Sequence, residues 1–147
     1  MSDGLPQANN GTSEEKEAIR SVIARRGLCG LANDTKWNEL LNAMRDYGCD
    51  VPYYRWKCVD GRPVGWEGSW TYHAPYPMMS VEWLDILFWH HPLRPGMSGF
   101  IWAAGAVESH ADRIEAIVKK VGLDYAVGVN MIRIFGYSPK SMDMFDD

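Results

Sequence analysis

Apolar residues recur at helical spacing in three parts of the chain, and the first of these is the thinnest. Its apolar stripe consists of Ile19, Val22 and Ile23. Thr12 is followed three residues later by Glu15, which is the spacing of a capping box at a helix start. Gly27 is a residue type at which helices commonly end. The pattern predicts a first helix between Thr12 and Gly27 that packs along a narrow face.

The other two helical stretches carry wider apolar faces. The run Asn33-Asp34-Thr35 offers a cap for the second helix, and Gly48 marks its end. The face of this helix consists of Trp37, Leu40, Leu41 and Met44, with Tyr47 following. The third helix is predicted over about Val107–Val121. Its stripe consists of Val107, Ala111, Ile114, Ile117, Val118 and Val121. One apolar face on each of the first two helices predicts that both pack on the same side of a sheet.

Alternation of apolar and polar residues predicts four strands. They cover about Tyr53–Val59, Trp66–His73, Ser80–Trp89 and Met131–Tyr137. Asp60-Gly61, between the first two, is a hairpin signal. The third segment is ambiguous because Ser80 could also cap a short helix, but its β-branched and aromatic residues favour a strand. As a strand, it places Glu82 and Asp85 on opposite faces of the sheet.

The order of these elements, ααβββαβ, predicts a single α+β domain. Its mostly antiparallel sheet has about four strands, with the helices packed on it. Residues 1–11 contain almost nothing to bury and are predicted to be a flexible lead. The domain then covers residues 12–137, and residues 138–147 form an acidic tail that is predicted to fray.

Length, charge and cysteine content narrow the class of protein. The chain has 147 residues and a formal net charge of −4, which disfavours nucleic acid and is better matched to a basic protein partner. It has no apolar run of membrane-spanning length and no basic start followed by an apolar core, so we expect a cytoplasmic protein without a membrane anchor. Three cysteines without a C-x-x-C pair predict free, buried thiols: Cys29, Cys49 and Cys58.

The motifs of metal and nucleophilic chemistry are missing from the sequence. His90 and His91 are adjacent, and adjacent side chains do not easily converge on one metal ion. Neither H-E-x-x-H, a Cys/His cluster, a G-x-S-x-G elbow nor a phosphate-binding glycine loop is present. We therefore expect no metal, no cofactor and no enzymatic activity. The alternative is a small hydrolase or nuclease that uses Glu67, Glu82 or Asp85, although their spacing fits no established metal-nuclease pattern.

Aromatic residues are concentrated in the middle of the chain, where five of the seven tryptophans lie between Tyr53 and Trp89. The stripe Trp66, Trp70 and Tyr72 is predicted to be core; the alternative, a stacking platform for nucleic acid, lacks a basic groove. His90–Ala104 is rich in Pro and Gly yet holds Phe100 and Trp102. Loops of this kind bear function more often than core elements do.

Several segments together resemble a bacterial family of small uncharacterised proteins. They read RGLCGLANDTKWNELLNAMR, YRWKCVDG, GWEGSW-YH, SVEWLDI and IRIFGY, within residues 19–137. The resemblance is most specific at Asn33, Asp34, Thr35, Lys36, Trp37, Glu82, Trp83, Gly136 and Tyr137. It implies no catalytic residue. What it implies is that the chain looks like the immunity partners of polymorphic toxins, including those delivered by Rhs or contact-dependent systems.

An immunity protein binds the catalytic domain of a toxin through a preorganised surface with aromatic anchors. On that hypothesis the partner is a cognate toxin domain, expected to be basic, and the chain itself is expected to be a monomer. The expected contacts lie in and beside the aromatic loop: Glu82, Asp85, Trp89, His90, His91, Arg94, Met97, Phe100 and Trp102. A regulatory homodimer that uses the same loop is a further alternative.

Overall fold

The structure is a computed structural model of the chain, and it describes residues 4–89 and 109–146. The helices are α1 (Ser13–Arg26), α2 (Asp34–Arg45) and α3 (Ala111–Val121), with a short 3₁₀ turn at Met78–Ser80. The strands are β1 (Cys29–Gly30), β2 (Tyr54–Cys58), β3 (Pro63–Glu67), β4 (Val81–Leu87), β5 (Tyr125–Val127), β6 (Met131–Phe135) and β7 (Tyr137–Ser138).

Antiparallel pairing joins five of these strands into one sheet in the order β3-β2-β4-β6-β5. The two short strands β1 and β7 form a separate antiparallel pair. The predicted α+β class with an antiparallel sheet is therefore confirmed. The main sheet has five strands where about four were predicted, because the three-residue strand β5 is too short to show an alternating pattern. The separate pair β1–β7 was missed for the same reason.

One face of the sheet, which we call the helix face, packs against α2 and α3. Its buried strand residues are Tyr54, Trp56, Leu84, Ile86, Ile132 and Ile134. They meet the predicted apolar stripes of the two helices, of which Trp37, Leu40, Leu41, Met44, Ile114 and Val118 are buried. Asn33 caps α2 by accepting a hydrogen bond from the Lys36 amide at 2.9 Å. Helix α3 begins at Ala111; residues 107–108, where the prediction placed its start, lie outside the described residues.

The opposite face, which we call the tail face, is buried as well. The residues that alternate with those of the helix face are Arg55, Trp83, Asp85, Leu87, Met131, Arg133 and Phe135, and all are buried. Arg55 and Arg133 donate hydrogen bonds to backbone carbonyls of residues 141, 143 and 144. Two arginines thus hold residues of the segment that was predicted to fray against the sheet.

The segment that was predicted to be a flexible lead contacts the domain at Pro6 and Ala8. Ala8 is fully buried; its amide donates to Asn38 Oδ1 at 2.6 Å, and its carbonyl accepts from the Met78 amide at 2.8 Å. Arg45 donates to the Pro6 carbonyl at 2.9 Å. These are backbone contacts, which the polar composition of the segment does not reveal.

The segment that follows the hairpin differs from the prediction. Strand β3 ends at Glu67, whereas the alternating pattern extended to His73. The Glu67 carboxylate accepts from the Ser69 amide at 2.8 Å, which turns the chain out of the strand. Trp70 then packs against Tyr54 with ring centroids 4.0 Å apart, but Tyr72 is 67% exposed. Trp66 is only half-buried, so within the predicted core stripe the prediction is right for Trp70 and wrong for Trp66 and Tyr72.

Strand β4 is the strand that the pattern favoured over a helix, and it lies at the centre of the sheet. Glu82 and Asp85 fall on opposite faces, as the alternation predicts. Helix α1 has its predicted capping box at Thr12 and Glu15. In the part of the chain that the structure describes, no helix is long and apolar enough to cross a membrane.

Candidate functional site

Most of the predicted partner contacts fall outside the described residues. These are His90, His91, Arg94, Met97, Phe100 and Trp102. Trp89, next to them, is half-buried and packs against the helix-face core. Only the two carboxylates predicted with them, Glu82 and Asp85, can be placed fully in the fold.

Glu82 joins the sheet to α1. Its two carboxylate oxygens each accept a hydrogen bond of 3.0 Å from the Arg26 guanidinium, a bidentate ion pair. The Glu82 side chain is 3% exposed, while that of Arg26 is 37% exposed. The carboxylate therefore holds the end of α1 in place and presents no free oxygen to a partner.

Asp85 lies at the centre of the tail face between two arginines. Arg133 donates to it through Nε at 2.7 Å and Nη2 at 2.9 Å, and Arg55 donates through Nε at 3.0 Å. The Arg133 guanidinium also stacks 3.6 Å from the Trp83 ring centroid. Asp85 is fully buried and Glu82 is nearly so, and both carboxylates are paired with arginines inside the fold. Their contact with a partner stays a prediction.

The structure also separates the three carboxylates of the enzyme alternative. Glu82 and Asp85 lie on opposite faces, and Glu67 faces His73 at 3.3 Å near the end of β3. Partial burial would raise the pKa of Glu67, but hydrogen bonds from the Ser69 amide and from His73 outweigh it and lower that pKa. Among the described residues, no group of three His, Cys, Asp or Glu side chains could hold a metal ion.

The residues that carry the family resemblance are used by the fold. Trp37 is core, Lys36 donates to the Gly122 carbonyl at the end of α3 (2.8 Å), and Tyr137 donates to the Met79 carbonyl (2.8 Å). Gly136 crosses close to β4, where a Cβ atom would lie 2.1 Å from the Val81 carbonyl oxygen. These contacts give the motif residues structural roles.

A groove between α1 and the β2–β3 edge of the sheet is the main candidate binding surface. Its volume is about 420 Å³. The helix side is lined by Ala18, Ile19 and Val22. The facing side is lined by Trp56 and Val64 of the sheet and by Pro77, which precedes the 3₁₀ turn. In the described part of the chain, α1 contributes no buried residue. Its narrow apolar stripe is therefore only half covered by its own sheet.

Charged residues line the groove beside this apolar surface. Glu15 is exposed and keeps a lowered pKa because its carboxylate accepts from the Thr12 amide. Asp60 and Arg62 form an exposed pair at 2.8 Å. Cys58 also lines the groove, and burial raises the pKa of its thiol, which favours the neutral form. The surface therefore suits an apolar side chain that is flanked by polar or charged neighbours.

The other cysteines differ from the prediction of buried thiols. Cys58 is buried, but Cys29 and Cys49 are exposed. Cys29 lies in the two-residue strand β1, whose partner is Ser138 in β7. Short elements of this kind leave side chains in solvent, so the preference of free cysteine for burial was a poor guide at these two positions.

The described residues on either side of the aromatic loop lie next to each other. The His110 amide donates to the Phe88 carbonyl at 2.7 Å. The His110 ring shares a 2.6 Å hydrogen bond with the Tyr47 hydroxyl, and the Arg113 guanidinium lies 3.6 Å from the Tyr47 ring centroid. Phe88 and His110 are therefore neighbours, close to Tyr47 just beyond the end of α2.

Sequence reasoning predicted the narrow stripe on α1 but missed the groove. The signal that could have found it is the mismatch between that stripe and the broad faces of α2 and α3. A helix with a thin apolar face leaves its flanks open when it lies at a sheet edge.

Comparison with known proteins gives a family and no activity. The model of DUF6678, a family of unknown function, matches residues 19–141. That match spans most of the 147 residues, so the chain belongs to this family. No curated protein matches the chain, and no solved structure matches it either.

Proposed function

We propose that this member of the DUF6678 family is an immunity protein that binds the catalytic domain of a cognate bacterial toxin and blocks its substrate entrance. The observation that carries the proposal is the preformed groove of about 420 Å³ beside α1. A groove with an apolar floor and a charged rim accepts an anchor side chain from a protein partner. The family resemblance at the sequence level supplies the toxin context.

Charge supports a basic partner. The first half of α1 carries Glu14, Glu15 and Glu17, with Lys16 as its one basic residue, and Asp60 lines the facing side of the groove. The chain as a whole has a net charge of −4. Surfaces of opposite charge accelerate encounter and disfavour wrong partners.

Rigidity supports binding by occlusion. The Arg26–Glu82 ion pair fixes the end of α1, and the Thr12–Glu15 capping box fixes its start. A groove whose two walls are already in place loses little conformational entropy when a partner binds.

The test is a titration of the toxin domain encoded by the neighbouring gene with the purified full-length chain, by calorimetry. We expect one-to-one binding. Val22→Glu places a charge on the groove wall and should weaken binding tenfold or more, or about 1.4 kcal/mol. Ala24→Glu is the matched control, because Ala24 is exposed on the same helix outside the groove.

Protection of cells that express the toxin is the second measurement. An occluding protein protects only when it equals the toxin in amount, whereas an enzyme protects at trace amounts. Equal effects of Val22→Glu and Ala24→Glu would exclude the groove as the contact, and protection at trace amounts would exclude occlusion.

A further inference from the structure

A second groove, with a volume of about 340 Å³, lies between helices α2 and α3. Each helix lines it with three residues spaced i, i+3 and i+4: Glu39, Asn42 and Ala43 from α2, and Ile117, Lys120 and Val121 from α3. None of these residues lines the groove beside α1. An inference from the α2–α3 groove is therefore independent of the proposed function.

Contacts at both ends of the two helices hold them as an antiparallel pair. Lys36, in the first turn of α2, donates to the carbonyl of Gly122, which follows the last residue of α3, at 2.8 Å. At the other end Arg113, in the first turn of α3, donates to the Tyr47 carbonyl, just beyond α2, at 3.0 Å. The start of α2 therefore lies beside the end of α3.

The floor of the α2–α3 groove is apolar and partly exposed. Ile117 and Val121 belong to the predicted apolar stripe of α3, but they are only half-buried, and so is Ala43 on α2. Leu40 and Val118, which face the sheet from the same helices, are fully buried. Because burial of apolar surface favours association, this floor suits an occupant that brings an apolar strip of its own.

The two rims of the α2–α3 groove carry opposite charges. Glu39 on the α2 rim and Lys120 on the α3 rim are both exposed. Within residues 4–89 and 109–146, neither side chain has an ion-pairing partner. A complementary occupant therefore places a cation over α2 and an anion over α3.

A second copy of the chain has this pattern of charge. A two-fold axis that runs along the groove turns one copy over, so that its α2 lies on α3 of the other copy. Glu39 of each copy then faces Lys120 of the other, and the two apolar floors meet between them. An axis across the groove would instead place α2 on α2 and like charges together. Dimers with a two-fold axis use the same patch on both copies in this way.

We propose that the α2–α3 groove is a homodimer interface, in which two Glu39–Lys120 ion pairs flank the apolar contact. This dimer replaces the monomer that was expected from the sequence. Because the apolar floor is small and both ion pairs lie at the rim, the dimer should be weak and should dissociate more readily as salt is added.

Analytical ultracentrifugation of the full-length chain tests this proposal over concentrations from about 1 μM to about 1 mM. The wild type should sediment as a monomer at the lowest concentration and increasingly as a dimer at the highest. By symmetry, Glu39→Lys and Lys120→Glu each bring like charges together twice. Each should raise the dissociation constant of the dimer about tenfold or more. Both positions are exposed, so the fold should tolerate either substitution.

The double variant Glu39→Lys, Lys120→Glu makes the test specific. It restores opposite charges in exchanged positions, so its dissociation constant should return to within about threefold of the wild type. Glu17→Lys on α1 and Lys119→Glu on α3 are the matched controls. They make the same changes of charge at exposed positions outside the α2–α3 groove and should change the dissociation constant by less than about twofold.

Three results would contradict the proposed dimer. A wild type that remains monomeric at about 1 mM would overturn it directly. A double variant as weak as either single variant would overturn it, because Glu39 and Lys120 would then not face each other. Equal weakening by the two control variants would overturn it as well, because net charge alone would then explain the effect.

Discussion

The two faces of the five-stranded sheet are both buried, but different chemistry buries them. The helix face is covered by apolar side chains of α2 and α3. The tail face has a buried carboxylate, Asp85, between two buried arginines, and a backbone segment covers it. An apolar face gains free energy from area alone, whereas a charged face is stable only if every ion keeps its partners. A single substitution on the tail face should therefore lower the free energy of unfolding more than one on the helix face.

The sharpest test of this comparison is Asp85→Ala. The substitution leaves the Arg55 and Arg133 guanidiniums buried without a counter-ion, and loss of one partner in a buried ion pair costs about 3–5 kcal/mol. The free energy of unfolding, measured with urea, should fall by that amount. Asp143→Ala, on the exposed side of the same face, should change it by less than about 0.5 kcal/mol. Equal losses of unfolding free energy in the two variants would mean that water reaches the ion pairs of Asp85.

Replacing Asp85 together with both arginines tests whether these buried charges are needed for stability. Arg55→Met, Asp85→Leu and Arg133→Met together remove all three ions and keep similar volume. Apolar replacements of buried ionic triads are often neutral or stabilising by about 1–4 kcal/mol. We expect the triple variant to fold and to have a free energy of unfolding at least about 3 kcal/mol higher than that of Asp85→Ala. Residues 139–146 should become accessible to proteolysis. If those residues stayed protected, the arginines would not be their anchor.

The helix face should respond mildly to a conservative change. Ile134 is fully buried on β6, and Ile134→Val removes one methyl group. The expected loss of unfolding free energy is about 0.5–1.5 kcal/mol. The same urea measurement checks it. A loss as large as that of Asp85→Ala would show that packing on this face is as demanding as ion pairing on the other.

The smallest expected effect is a pH dependence at the edge of the sheet. The native pKa of Glu67 lies below its ordinary value, so the group stabilises the fold above about pH 4.5 and loses that contribution as the pH falls through its native pKa. Comparing Glu67→Gln with the wild type at pH 7 and pH 3 by urea unfolding measures this. The stability difference should shrink at pH 3. A constant difference would assign the effect to packing.

Local signals in the sequence predicted the elements that local contacts stabilise. Thr12 and Asn33 cap the helices that their spacing indicates, and alternation in β4 correctly placed Glu82 and Asp85 on opposite faces. The anchored chain end could not be predicted, because its carbonyls are bound by Arg55 and Arg133 from distant strands. Such contacts leave no trace in the composition of the segment itself.

The candidate groove could be predicted only in part from the sequence, for the same reason. The narrow stripe of Ile19 and Val22 was visible, but its half-covered state depends on where α1 lies against the edge of the sheet. That position is set by the Arg26–Glu82 ion pair, whose partners are 56 residues apart. The ion pair that Glu82 makes inside the fold could not be predicted either, because residue type alone does not distinguish a structural charge from a binding charge.

The hydrogen bond from the His110 amide to the Phe88 carbonyl joins main-chain atoms only. It therefore ties the residue that follows β4 to the residue that precedes α3 whatever side chains stand at these two positions, so sequence change there can leave the junction intact.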